Sequence, residues 1–151
     1  MAFVSSMNIV GSGLTAQQIR LDIISENITN MNTTRTEAGG AYRRKMVVFM
    51  SESDRDDFRM AMAKAMESSN RGAEKAGGVR VTEIVEDETE LPLTYDPTHP
   101  DADELGYVEM PNVILVKEIT DAMAASQAYS ANVTAFNVLK GVLSSSLEIG
   151  R

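Results

Sequence analysis

Leu14-Thr15-Ala16-Gln17-Gln18-Ile19-Arg20-Leu21-Asp22-Ile23-Ile24-Ser25-Glu26-Asn27-Ile28-Thr29-Asn30-Met31 decides the fold. Within it Leu14, Gln17, Leu21, Ile24, Ile28 and Met31 recur at alternating spacings of three and four, a heptad seam with one polar member. Met7 and Val10 carry the row upstream, so a helix from Val4 to Met31 would be about 42 Å long. Gly11 and Gly13 each weaken a helix by roughly 1 kcal/mol relative to Ala. The spacing therefore predicts a firm helix over 14–31 with looser first turns. Asn27, Thr29, Asn30, Asn32, Thr33 and Thr34 follow as helix-ending and turn-forming side chains, a more physical reading than the Asn-x-Thr glycosylation pattern they also fit.

A second seam opens after Pro111, a residue suited to a first helical position. Leu115, Ile119, Ala122, Ser126, Tyr129, Val133, Phe136, Lys140, Leu143 and Leu147 alternate four and three, predicting a helix over 112–147 of about 54 Å. Small residues between Ala122 and Ala131 would let a neighbouring helix come close.

The two ends are sparsely charged, whereas residues 34–110 hold ten basic and seventeen acidic side chains. Three short strands are expected there: 44–50, 79–85 and 91–95, the first two each preceded by a glycine pair. Phe58, Met62, Ala65 and Met66 suggest a short amphipathic helix over 54–69, and the methionines at 60, 62 and 66 suit a gap-filling core. Residues 95–106, with Pro97, Pro100 and Gly106, read as turns. The fold class is thus mainly α with a small β-rich middle: a core helix in 1–33, an outer segment with its linker in 34–110 and a second core helix in 111–151.

Composition excludes several functions. The chain has 151 residues, a net charge of −8, one His, no Cys and no Trp. An acidic chain without a basic face is a poor partner for nucleic acid. Without Cys there are no thiolates, disulfides or Cys-built zinc sites, and one His makes a His-built metal centre or a Ser–His relay improbable. No apolar run is long enough to cross a bilayer. Residues 1–6 lack the charged and apolar regions of a secretory leader, so a cytoplasmic location or export without a cleaved signal is expected.

Asp96, His99, Asp101 and Asp103 could be read as a divalent-cation cluster, but the calcium-loop pattern is incomplete and a proline-stiffened acidic turn is the simpler reading. Arg43-Arg44-Lys45 is either a small anion or partner patch or a solvated approach to a strand. Two long apolar seams with only 5% aromatic residues to cover them leave surface in need of a partner. The ends also lack the dense flanking charges of a soluble two-stranded coil, which favours packing among many copies.

Ser12-Gly13-Leu14-Thr15-Ala16-Gln17-Gln18, followed by Asn27-Ile28-Thr29-Asn30-Met31-Asn32, resembles the N-terminal motif of bacterial flagellar axial proteins. Tyr42-Arg43-Arg44-Lys45, Gly78-Val79-Arg80-Val81, Asp96-Pro97-Thr98-His99-Pro100-Asp101-Ala102-Asp103, Met110-Pro111-Asn112-Val113 and Met123-Ala124-Ala125-Ser126-Gln127-Ala128-Tyr129 extend the resemblance to the closing helix. On these motifs the chain is identified as a member of the flagellar basal-body rod proteins, of the proximal-rod type.

The resemblance implies a structural subunit without cofactor or enzymatic activity, exported through the flagellar type III apparatus. It would assemble in the periplasm with its own copies and other rod proteins into a hollow tube that transmits torque, with neither nucleic acid nor membrane insertion. Terminal helices would form the inner core and the middle segment an outer layer. The expected assembly interface is Met7, Val10, Leu14, Leu21, Ile24, Asn27, Ile28 and Asn30 against Leu115, Ile119, Tyr129, Asn132, Val133, Phe136, Asn137 and Leu143, with the asparagines setting register. Two other classes stay in view: a stand-alone helical binding module or export chaperone, and an enzyme with a metal held in the 96–104 turn.

Overall fold

The computed structural model of the chain describes residues 2–37, 39–52 and 77–149. The short helix expected over 54–69, with its methionines, lies outside the described residues. Helix α1 (Ala2–Thr29) runs without a break through Gly11 and Gly13. Its end is closed by its own polar side chains: Asn30 Nδ2 donates to Glu26 O and Thr33 Oγ1 to Asn30 Oδ1. Gly39 and Gly40, both at positive φ, then turn the chain toward the first strand.

Strands β1 (Lys45–Ser51) and β2 (Val79–Glu86) pair antiparallel, from Lys45↔Glu86 to Ser51↔Val79, with a register shift after Val48. A second antiparallel pair joins β3 (Leu93–Tyr95) to β4 (Tyr107–Glu109). The fourth strand was not expected; three residues between Gly106 and Met110-Pro111 are too short to show alternation. Tyr95 and Tyr107 meet edge to face at 5.3 Å across this pair.

Helix α2 (Leu115–Ile149) begins three residues later than the sequence suggests. The first intrahelical bond of this region is Glu118 N to Ile114 O, and the Asn112 side chain is spent elsewhere. At 35 residues α2 is about 52 Å long. Among the described residues no helix is long and apolar enough to cross a membrane.

The two helices pack antiparallel. Asn27 meets Glu118 near one end, and Gly13 lies against Asn132 fourteen residues further along each helix; a Cβ on Gly13 would sit 3.1 Å from the Asn132 amide nitrogen. Helix α1 is also the element on which β1 and β2 lie, so it is shared by the helix pair and the hairpin. Among its described side chains the exposed ones are confined to a polar row: Asn8, Thr15, Gln18, Asp22, Ser25 and Thr29.

The covered face of α2 is shifted from the expected one by one residue at four positions. Glu118, Ala122, Ala125, Tyr129, Asn132, Phe136 and Leu139 alternate four and three along the side that is withdrawn from solvent. The expected row shares Ala122, Tyr129 and Phe136 with it, but substitutes Ile119, Ser126, Val133 and Lys140 for Glu118, Ala125, Asn132 and Leu139. Those four substitutes are all exposed. Reading by apolarity favoured Ile119 and Val133; the chain instead turns two polar residues inward, because one meets a buried cation and the other a glycine.

Candidate functional site

The largest concentration of buried polar groups lies where the end of α1, the approach to β1, the loop after β2 and the start of α2 converge. Glu118 is 0% exposed and Asn27 1%. Such groups are tolerated only when every polar atom has a partner. Arg44 Nε donates to Glu118 Oε1 at 2.6 Å, and its Nη2 donates to Asp121 Oδ2 at 3.3 Å. A third carboxylate, Asp87, stands 4.0 Å from Arg44 Nη1. Asp121 in turn pairs with Arg20 of α1.

Asn27 is the neutral centre of the cluster. Its Nδ2 donates to Lys45 O at 2.9 Å and Glu118 Oε2 at 3.1 Å, while its Oδ1 accepts from Lys45 N and from the Tyr42 hydroxyl. Neither Asp nor Leu, its nearest isosteres, can both donate and accept in this way. Burial, reinforced by the negative charges of Glu26, Glu86 and Glu118, pushes the Tyr42 hydroxyl up to about 12, so it remains a donor across the whole ordinary pH range.

Asn112 completes the joint. Its Oδ1 accepts the Arg44 amide at 2.7 Å, and its Nδ2 donates to Asp87 O and Thr89 Oγ1. Hydrogen bonds from the Thr89 amide and from its side chain hold the Asp87 carboxyl below the usual carboxylate range. An open groove of about 340 Å³ runs beside this joint, walled by Ile23, Met46, Val47 and Phe49.

At the far end of the hairpin a second, simpler attachment holds β2 to α1. Ser12 Oγ donates to Ile9 O and accepts the Val79 amide at 3.0 Å. Gly78 makes this approach possible: a Cβ there would lie 2.1 Å from Ser12 Oγ.

The acidic turn after β3 has a different use from the cation cluster weighed above. Asp96 Oδ1 accepts the amide and hydroxyl of Thr98, His99 Nδ1 accepts the Asp101 amide, and Asp103 Oδ1 accepts the amides of Leu105 and Tyr107. These side chains are engaged in closing the turn that leads into β4.

The residues expected to form an assembly interface divide into two groups. Ile24 and Asn27 are buried, and Met7, Val10, Leu14, Leu21, Ile28, Asn30, Tyr129, Asn132 and Phe136 are half-covered within the chain. Leu115, Ile119, Val133, Asn137 and Leu143 are exposed. Around them lie Val116, Met123, Val138, Val142 and Leu147, also exposed. Val116, Met123 and Val138 are on the side turned away from α1, among polar Thr120, Gln127, Ser130 and Thr134, whereas Leu143 and Leu147 continue the inward row, so α2 carries exposed apolar side chains along its whole length. The sequence reading did not single out Glu118 or Asp121; their partners lie tens of residues away and carry no local spacing signal. Tyr42 and Arg44 entered only as members of short motifs, Arg44 also as the start of the first expected strand, without a role in a buried joint.

Two segments match known families. Residues 7–35 match the family described as flagella basal body rod protein, and residues 104–149 match that described as flagellar basal body rod FlgEFG protein C-terminal. Among curated proteins, the flagellar basal-body rod protein FlgC of Bacillus subtilis is 42% identical over 97% of both chains. Its namesake in Borreliella burgdorferi is 42% identical over 99% of this chain and 98% of its own. The Escherichia coli O6:H1 protein of the same name is 35% identical over the full length of both. With identity at this level from end to end, the chain belongs to the FlgC family of flagellar basal-body rod proteins.

Proposed function

We propose that this chain is a repeated subunit of a hollow helical tube in the periplasmic part of the basal body, where it transmits motor torque by packing rather than by catalysis. The observation that carries this reading is the run of exposed apolar side chains along α2. Met123 is 62% exposed and Ile119 47%, on a helix whose inner side is already occupied by α1. A helix that carries apolar side chains on more than one side is covered by further elements when it is assembled. In the tube, Leu115, Ile119, Val133, Asn137 and Leu143 meet neighbouring copies or other rod proteins. Met7, Val10, Leu14, Leu21, Ile24, Asn27, Ile28, Asn30, Tyr129, Asn132 and Phe136 hold the helix pair that presents them.

The helices then form the inner core, and the acidic segment 34–110 an outer layer. The flagellar type III export apparatus is the partner before assembly. The engaged side chains of the 96–104 turn favour this mechanical reading over a metal-dependent activity. A stand-alone binding module would also show an exposed helix face, but end-to-end identity with rod proteins favours assembly.

Met123→Asp and Val133→Asp test the reading. Both positions are exposed, so the purified variants should keep the helix content and melting temperature of the parent. Cells carrying either variant should fail to swim and should lack rods in isolated basal bodies. Normal swimming by both would contradict the proposal.

A further inference from the structure

Arg44 immediately precedes β1, and Asp87 immediately follows β2, so the two residues mark the root of the hairpin. The root is tied twice: Asp87 N donates to Arg44 O at 2.7 Å, and the two side chains face one another. From the same root the Arg44 guanidinium reaches Glu118 and Asp121 on α2. One side chain therefore connects the hairpin to the helix that carries the exposed apolar side chains.

Burying a guanidinium against a carboxylate is a poor way to gain stability. Apolar residues of the same volume often serve as well or better. A planar fork does something an apolar plug does not, because its donors accept partners along only a few directions. Glu118 and Asp121 lie one turn apart on α2, and together they define the direction in which Arg44 points. Other side chains also hold the hairpin, Asn27 on the Lys45 backbone, Asn112 on Arg44 N and Asp87 O, and Ser12 on Val79 N, but of these groups Arg44 is the one that reaches two carboxylates on α2.

We propose that Arg44 is a positioning residue: its fork sets the angle at which the β1–β2 hairpin stands on the helix pair. The inference rests on the rod-subunit reading for its purpose, since a subunit that packs through an inner and an outer layer needs one fixed angle between them.

The absence of Cys makes the test clean, because two introduced cysteines carry the only spin labels. Glu83→Cys on β2 and Ser130→Cys on α2 are both at exposed positions. Pulsed electron resonance on the labelled full-length chain should give one narrow distance peak. Arg44→Met combined with Glu118→Met removes the fork without leaving the fully buried Glu118 carboxylate unpaired, and should keep the helix content while losing the narrow peak. Arg44→Lys is the second variant: it retains a cation beside Glu118 but not the fork, and should also lose the narrow peak. A narrow peak retained in either folded variant would overturn the proposal. Loss of folding in both would overturn it too, by making Arg44 a residue that holds the fold rather than its angle. Because the distance is read on the isolated chain, the result is independent of whether the rod-subunit reading stands.

Discussion

Glu118 Oε1 lies 2.6 Å from Arg44 Nε, and no part of Glu118 is in contact with solvent. The two are separated by 74 residues in a chain of 151, so the contact closes about half of the chain into one loop.

Removing one partner of a buried pair leaves the other charged and unsatisfied. Arg44→Ala should therefore destabilise the chain by about 3–5 kcal/mol, read as a lower urea midpoint. Arg44→Met with Glu118→Met should recover most of that loss. A double variant no more stable than Arg44→Ala would show that unpaired charge is not the cause.

Asn27 makes four hydrogen bonds within this cluster. Asn27→Ala strips partners from the Lys45 backbone, the Tyr42 hydroxyl and the second oxygen of Glu118. Each buried group left unpaired costs about 1–3 kcal/mol, part of which water entering the vacated space would return. A net loss of about 3 kcal/mol in denaturant unfolding is expected.

Both long helices were legible in the sequence because apolar spacing survives without knowledge of partners. The inward row of α2 was misplaced by one residue for the same reason: Ile119 and Val133 look like core, and Glu118 and Asn132 do not. Only the position of Arg44 and of Gly13, both far away in sequence, explains why the polar pair turns inward. Strand β4 left no trace because three residues cannot display a period, and Tyr42 and Asp121 acquire their importance solely from tertiary neighbours. Asn27, by contrast, was marked in the sequence as a helix-ending side chain and as an expected register contact; it lies inside α1 and sits at the centre of the joint.

Tyr42 links stability to alkaline pH. Its folded pKa, about 12, is above the ordinary value of 10.0, so an unfolded chain loses this proton first. The stabilisation from the neutral hydroxyl is fully present below pH 10 and is lost as pH rises toward 12. Melting temperature should fall across that window, and Tyr42→Phe should shed the part of the decline that tyrosine titration causes. An identical decline in the phenylalanine variant would contradict this assignment.

At Gly78 the limit is space. Any side chain there drives into Ser12, and Gly78→Val should cost about 1–3 kcal/mol by prising the hairpin from α1. Hydrogen exchange should rise at Val79, whose amide donates to Ser12 Oγ, while the amides of α2 keep their protection. Unchanged exchange at Val79 would place the hairpin's hold elsewhere.

The central claim is that the outward face of α2 is covered only on assembly. Met123→Cys supplies one thiol on that face in a chain that otherwise has none. Maleimide labelling of this variant should be rapid and complete in the purified chain and blocked in isolated basal bodies. Equal labelling in both would contradict the account.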